Sequence, residues 1–216
     1  MSHVPFVNSA SWIWSSEGSH GAAAPEQSTP SHYQVRLFRR TFSLDDPEGL
    51  QLPVRLSADS RYLFWCNGVL VGRGPAKGDV NHHFFDTFDL TSHLRRGENV
   101  LAALVQDMSR VAHRPALLGA PCSIMTYTGG FVLEGAVLGA DGGRRCELAT
   151  DASWKVAVDR AHRFQNDGTT FEGYHGYFEH RVSALEPVGW KEPGFDDASW
   201  SPAHVLFKAE LLENRR

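Results

Sequence analysis

The chain has 216 residues, a formal charge of −4, and 42% hydrophobic and 21% charged residues. This is enough for one good-sized domain with its own core, too apolar for a disordered segment, and without the basic excess that marks nucleic-acid binding. No apolar run approaches the roughly 18 residues of a membrane helix, so membrane partners are not expected either.

The opening MSHVPFVNSASWIW has no basic start and no long apolar stretch. No secretory signal is therefore visible, and a cytoplasmic location is expected. An extended strand is expected around Trp12–Trp14, inside an N-terminal segment of residues 1–32. Residues 33–44, YQVRLFRRTFSL, alternate. Tyr33, Val35 and Leu37 share one face; Phe38, Phe42 and Leu44 share the other. The apparent change of phase at Leu37-Phe38 predicts a bulge or a strand crossing between sheets. The paired arginines Arg39-Arg40, Arg95-Arg96 and Arg144-Arg145 read as solvated strand ends and turns.

Val54, Leu56 and Ala58 alternate after Pro53. RYLFWC-NG-VLVG then carries the strongest short hairpin signal, because Asn67 and Gly68 both tolerate the positive φ of a type I′ turn. Residues 89–97, DLTSHLRRG, read as a short helical turn that Asp89 or Thr91 caps and Gly97 ends. ENVLAALV, apolar on both faces, is assigned to a buried strand by its Gly97 boundary and strand-rich surroundings. FVLEGAVL, DGG and RRCELAT make a second hairpin, and WKVAV at 154–158 alternates again. Strands are thus predicted near 34–43, 53–58, 61–66, 69–72, 98–106, 131–138, 144–149 and 154–158. His162 to Glu172 is polar, and Pro187, Pro193 and Pro202 punctuate the end of the chain. DASW occurs at 151–154 and at 197–200, each read as a turn that plants a tryptophan in the core. Many short strands with almost no helix predict an all-β, antiparallel sandwich or barrel. Cys66, Cys122 and Cys146 are odd in number and widely spaced. They read as small core residues of a reducing compartment, not as a disulfide framework or a metal pair.

A catalytic constellation is not evident. There is no GxSxG elbow and no HExxH helix. Adjacent His82-His83 would point to opposite faces of a strand, so no metal ligand set and no cofactor is expected. Asp45-Asp46 and Asp196-Asp197 are neighbours in turn contexts, whereas glycoside hydrolysis needs two carboxyls facing each other. The run from Gly72 to Gly78, GRGPAKG, lacks the GK[ST] ending of a phosphate loop and carries Pro75 in its middle. It does bring Arg73, Lys77 and Asp79 to a tightly turned backbone beside Trp65 and His82. Charged side chains beside an exposed aromatic ring are the usual means of holding a sugar. The competing account is that Arg73 and Asp79 bond each other as a structural clasp.

The order LFRRTFSL, LSADSRYLFWCNGVLVGRGPAKGD, FFDTFDLTSHLRRGENVLAALV, ATDASWK and GWKEPGFDDASWSPA resembles the N-terminal accessory sandwich of bacterial α-L-rhamnosidase-type glycoside hydrolases. The resemblance covers roughly residues 12 to 206. Its middle is shared with galactose-binding-like domains of many glycosidases; the RGPAKGD loop and the FDDASW ending are more specific. Lys77 stands where the family suggests Arg, and Cys66 where Val is common. The resemblance implies a jelly-roll-like, galactose-binding-like β-sandwich over 33–207, with 208–216 as tail or linker. It also implies that the acid and base carboxylates lie in a catalytic barrel that this chain lacks, so no residue here inherits a catalytic role. The expected function is a non-catalytic, carbohydrate-associated accessory domain. Its partners would be a glycan, with a rhamnose-containing one in view, and a catalytic glycosidase domain. The expected carbohydrate contacts are Trp65, Arg73, Lys77, Asp79 and His82. A small stand-alone glycoside hydrolase and a ligand-free structural spacer are the alternatives.

Overall fold

The computed structural model describes residues 9–16, 34–76, 84–107, 129–165 and 178–209. The strands are β1 (Ser11–Trp14), β2 (Gln34–Leu44), β3 (Pro53–Ala58), β4 (Arg61–Cys66), β5 (Val69–Gly74), β6 (Asp86–Asp89) and β7 (Gly97–Asp107). They continue with β8 (Phe131–Leu138), β9 (Arg144–Glu147), β10 (Lys155–Val158), β11 (His162–Gln165), β12 (Phe178–Arg181), β13 (Ser201–Pro202) and β14 (His204–Lys208). The helical content of the described residues is two 3-10 turns, Thr91–His93 and Ser183–Leu185.

The strands form two antiparallel six-stranded sheets. One has the order β14-β1-β8-β3-β6, with β9 also paired to β8; the other has the order β13-β10-β2-β7-β4-β5. A separate hairpin joins β11 to β12. The sheets pack face to face as a jelly-roll-like β-sandwich. Its core takes Ile13, Val54, Leu56, Phe131 and Leu133 from the first sheet and Phe38, Phe64, Leu101, Ala103 and Val105 from the second. This is the period-two rule at work: every second side chain of each strand enters the shared interior.

The predicted strands and the hairpin are present. Asn67 has φ 49 and Gly68 φ 81, the left-handed pair that a type I′ turn requires. Asp89 Oδ1 accepts the Thr91 N–H at 3.0 Å just ahead of the predicted turn, which spans Thr91–His93 between Leu90 and Leu94; Gly97 opens β7 instead of ending the turn. Both DASW segments bury their tryptophans, Trp154 at 0% and Trp200 at 7% exposure. Cys66 is a buried free thiol, pushed up to about 12 by burial; Cys122 lies outside the described residues.

Two expectations are corrected. β2 has no bulge: it runs in unbroken register with β7 from Gln34↔Asp107 to Leu44↔Gly97. What resembles a slipped phase is a strand covered on both faces. Phe38, Phe42 and Leu44 enter the core, while Val35 and Leu37 join a second apolar cluster with Trp65, Ala102, Leu104, Trp190 and Trp200 on the sheet's outer face. The second correction concerns Arg39, which is 0% exposed and not a solvated strand end. Its Nε donates to Asp197 Oδ2 at 3.0 Å, its Nη1 donates to the carbonyls of Trp190 and Glu192, and its guanidinium lies 5.0 Å from the Phe195 ring. Residues 186–200 thus form a strap across the outer face of the second sheet. It is held by three aromatic side chains and one buried cation.

Candidate functional site

The segment singled out from the sequence leaves β5, the edge strand of one sheet, and enters β6, the edge strand of the other. Lys77, Asp79 and His82 lie outside the described residues. Arg73, Gly74, Pro75 and Ala76 describe the departure; Phe84, Phe85 and Asp86 describe the return.

The departure is shaped by two glycines, for a reason other than tight turning. Both lie inside β5, facing β6. A Cβ on Gly72 would stand 2.5 Å from Phe88 Cζ, and a Cβ on Gly74 would stand 2.1 Å from Asp86 Oδ2 and 2.8 Å from Tyr62 Oη. The glycines therefore let side chains of β6 come against the backbone of β5 and close the rim of the sandwich. Phe88 also meets Phe64, with ring centroids 6.4 Å apart. Tyr62 Oη donates to Asp86 Oδ2, linking the two sheets. Burial first, and then the adjacent Asp86 carboxylate, drive the Tyr62 hydroxyl far above its ordinary pKa, so it remains a donor.

The return is anchored twice more. Ser57 Oγ donates to the Phe84 carbonyl at 2.7 Å, and the Arg55 guanidinium lies 5.4 Å from the Phe85 ring. Arg55 in turn bonds Glu134 Oε2 at 2.7 Å on the outer face of the first sheet, where both side chains are almost fully buried. Burial raises the Glu134 carboxyl above its ordinary value, and the Arg55 hydrogen bond opposes that rise. Sequence inspection did not single out this pair. Its only signal is the placement of Arg55 and Glu134 on the solvent-side phase of apolar strands.

Arg73 pairs with Leu63 in register, so it lies on the outer face of the second sheet, as Leu63 and Trp65 do. It is exposed and makes no hydrogen bond or ion pair among the described residues. Trp65 differs from the expected exposed ring. It is 8% exposed, packed edge-on against Trp190 with centroids 5.5 Å apart, and covered by Lys191, whose Nζ lies 4.8 Å from its ring. The strap supplies this cover, and the local sequence around Trp65 holds no sign of it. The structure therefore brings Arg73 and Trp65 onto one sheet face but leaves only Arg73 open to solvent.

Three of the four paired carboxylates have structural partners. Asp197 holds Arg39, and Asp196 Oδ1 accepts the Ala198 N–H at 2.9 Å. Asp46 Oδ1 accepts the Glu48 N–H at 3.2 Å and its Oδ2 stands 3.7 Å from Arg96. Among the described residues, no group of three or more His, Cys, Asp or Glu side chains could hold a metal ion. No described helix is long and apolar enough to cross a membrane.

Comparison with known proteins places these features in context. Residues 55–215 match the family model described as the α-L-rhamnosidase N-terminal domain. An α-L-rhamnosidase of Streptomyces avermitilis is 29% identical over 208 residues, covering 95% of this chain and 15% of that protein. The crystal structure of a GH78 family rhamnosidase of Bacillus sp. GL1 superposes with a TM-score of 0.65 at 29% identity, over 93% of this chain and 18% of that one. A lectin from Pleurotus ostreatus, crystallised with GalNAc, shares the fold at 18% identity and a TM-score of 0.52, over 94% of this chain and 44% of that one. The chain thus spans less than a fifth of either of these two rhamnosidases.

Proposed function

This chain belongs to the α-L-rhamnosidase N-terminal domain family, and on that premise we propose that it is a non-catalytic, carbohydrate-binding accessory module of a rhamnosidase-like glycoside hydrolase. The observation that carries this reading is Arg73. A guanidinium with five donors stands exposed on a rigid edge strand, beside a loop rich in polar side chains, and bonds no described residue. The rival clasp account pairs Arg73 with Asp79, and the measurement below separates the two. Lys77, Asp79 and His82 complete the proposed contact set, with Trp65 acting beneath the surface as support. That the same sandwich occurs in a lectin crystallised with GalNAc makes the fold compatible with a sugar site.

Calorimetric titration with L-rhamnose and with a rhamnogalacturonan fragment tests this. Arg73→Ala should weaken binding by about one to two decades, the loss expected for one charged hydrogen bond, and leave the melting temperature in place. Unchanged affinity with a lowered melting temperature would reject the binding role and restore the clasp.

A second role, docking on the catalytic domain of a larger enzyme, draws support from β14. On this edge strand Val205 is 40% and Phe207 56% exposed, and Phe207 lies against Trp12 with ring centroids 6.3 Å apart. An apolar edge of this kind suits an intramolecular interface. The Phe207→Ser variant tests it by leaving glycan affinity unchanged while loosening association with the catalytic domain.

A further inference from the structure

The strap does more than cover Trp65. Together with the 3-10 turn Ser183–Leu185 it encloses a hollow of about 240 Å³, lined by Ser183, Glu186, Val188, Trp190, Lys191 and Glu192. One side of the hollow is fixed. Glu186 Oε1 accepts from Lys191 Nζ at 2.8 Å and from the Trp190 indole at 3.3 Å, and its Oε2 accepts from Arg181. Lys191 Nζ also lies 4.8 and 5.3 Å from the ring centroids of Trp65 and Trp190. Two residues of the lining have no such task. The Glu192 carboxylate is exposed and makes no hydrogen bond or ion pair among the described residues. Val188 is 94% exposed, the barest large apolar side chain among them. The strap's anchorage to Arg39 uses the main-chain carbonyls of Trp190 and Glu192, so it requires neither side chain.

We propose that this hollow is a sugar site in its own right, for a neutral 6-deoxyhexose such as L-rhamnose. This rests on the carbohydrate-binding reading above and adds a site to it, since Arg73 is not part of the lining. Charge selects a neutral ligand: the cations Arg181 and Lys191 are balanced by the carboxylates of Glu186 and Glu192, so an ion meets no excess of opposite charge. The groups left over select a sugar. Lys191 gives one of its three N–H groups to Glu186 and keeps two, the Glu192 carboxylate accepts, and the Ser183 hydroxyl does both. Adjacent sugar hydroxyls, each a donor and an acceptor, match that set. Val188 in the same lining selects the 6-deoxy class. A methyl group loses no hydrogen bond against an apolar side chain, whereas the hydroxymethyl of other hexoses does. Lys191 is also held in place before any ligand arrives, which lowers the ordering cost of binding.

The test uses the full chain, with L-rhamnose and L-mannose as probes; the two differ only at C6, a methyl in one and a hydroxymethyl in the other. The backbone amides of residues 183–192 and the Trp190 indole N–H, in a nitrogen–proton correlation spectrum, read the hollow separately from the Arg73 loop. L-rhamnose should shift them and bind about three- to tenfold more tightly than L-mannose, as burial of one methyl group implies. Val188→Ser should bring that ratio to about one. Glu192→Ala should weaken L-rhamnose about ten- to a hundredfold. Both variants should keep the melting temperature, because both side chains are exposed, and Arg73→Ala should leave the shifts of 183–192 in place. The comparison of the two sugars in the unmodified chain holds even if a variant misfolds. Shifts confined to residues 73–76 and 84–87, equal affinity for the two sugars, or unchanged affinity in Glu192→Ala overturns this assignment and leaves the carbohydrate-binding reading standing. Absence of binding to L-rhamnose and to the rhamnogalacturonan fragment overturns both.

Discussion

Arg39 shows how much one side chain can decide. A guanidinium at 0% exposure would be prohibitively costly alone, yet here it is neutralised by Asp197 and bonded to the carbonyls of Trp190 and Glu192. Arg39→Ala should lower unfolding stability by about 3 kcal/mol, the low end for breaking a buried pair, because Asp197 remains partly hydrated. Urea unfolding measures the loss. The amides of residues 190–198 should also exchange faster, since the strap loses its central anchor. A variant as stable and as protected as the parent chain would show that the aromatic contacts suffice. Gly74 makes the opposite point, a residue that matters because it has no side chain. Gly74→Ala forces a methyl group to within 2.1 Å of the Asp86 carboxylate, and thermal melts should show a loss of about 1–3 kcal/mol from overpacking.

Among the elements, the strap and the β11–β12 hairpin are joined through Glu186. Burial pushes its carboxyl up, but hydrogen bonds from Lys191, Arg181 and Trp190 outweigh burial and bring it down to about 2. A carboxylate held below its ordinary 4.5 stabilises the folded state fully above that value, and the contribution is lost as pH falls toward 2. Melts of the parent chain and of Glu186→Gln should therefore differ most above pH 4.5 and converge as pH approaches 2. The start of β11 carries the opposite dependence. His162 Nδ1 bonds Asp159, which raises its pKa from 6.5 against the effect of burial. Its stabilisation is complete below 6.5 and fades as pH rises through the folded value. Imidazole titration by NMR should give a midpoint above 6.5 that drops in Asp159→Asn.

At the scale of the molecule, the sandwich is a rigid frame with its polar loop at one rim and an apolar edge at β14. Of the two candidate carboxylate pairs, Asp46, Asp196 and Asp197 serve turns, a buried arginine and a surface ion pair. The chain also spans 15% of the Streptomyces rhamnosidase it matches. The purified chain should therefore release no chromophore from an aryl rhamnoside above the buffer rate. Turnover that disappears when a single carboxylate becomes its amide would overturn the accessory reading in favour of a small hydrolase.

The strands, the Asn67-Gly68 turn and the buried Trp154 and Trp200 were legible from residue order because each is governed by neighbours in the chain. Alternation sets which face a residue takes, a positive φ selects Asn and Gly, and Asp-Ala-Ser turns the backbone. Family membership was legible for the same reason, as a succession of such local signals. The short strands β6, β11, β13 and β14 were not, since two to five residues carry too little periodicity to stand apart from loop. The site was legible only in part. Arg73 was legible as a charge on the glycine-rich run after the hairpin, and the structure places it inside β5 instead of in the loop. The burial of Trp65, the role of Arg39 and the place of Asp86 depend on segments far away in sequence: the strap 186–200 folds over the second sheet, and Tyr62 reaches across to β6. Burial and pairing on an outer face are set by what packs against it, and that partner is fixed by long-range packing, which no local pattern encodes.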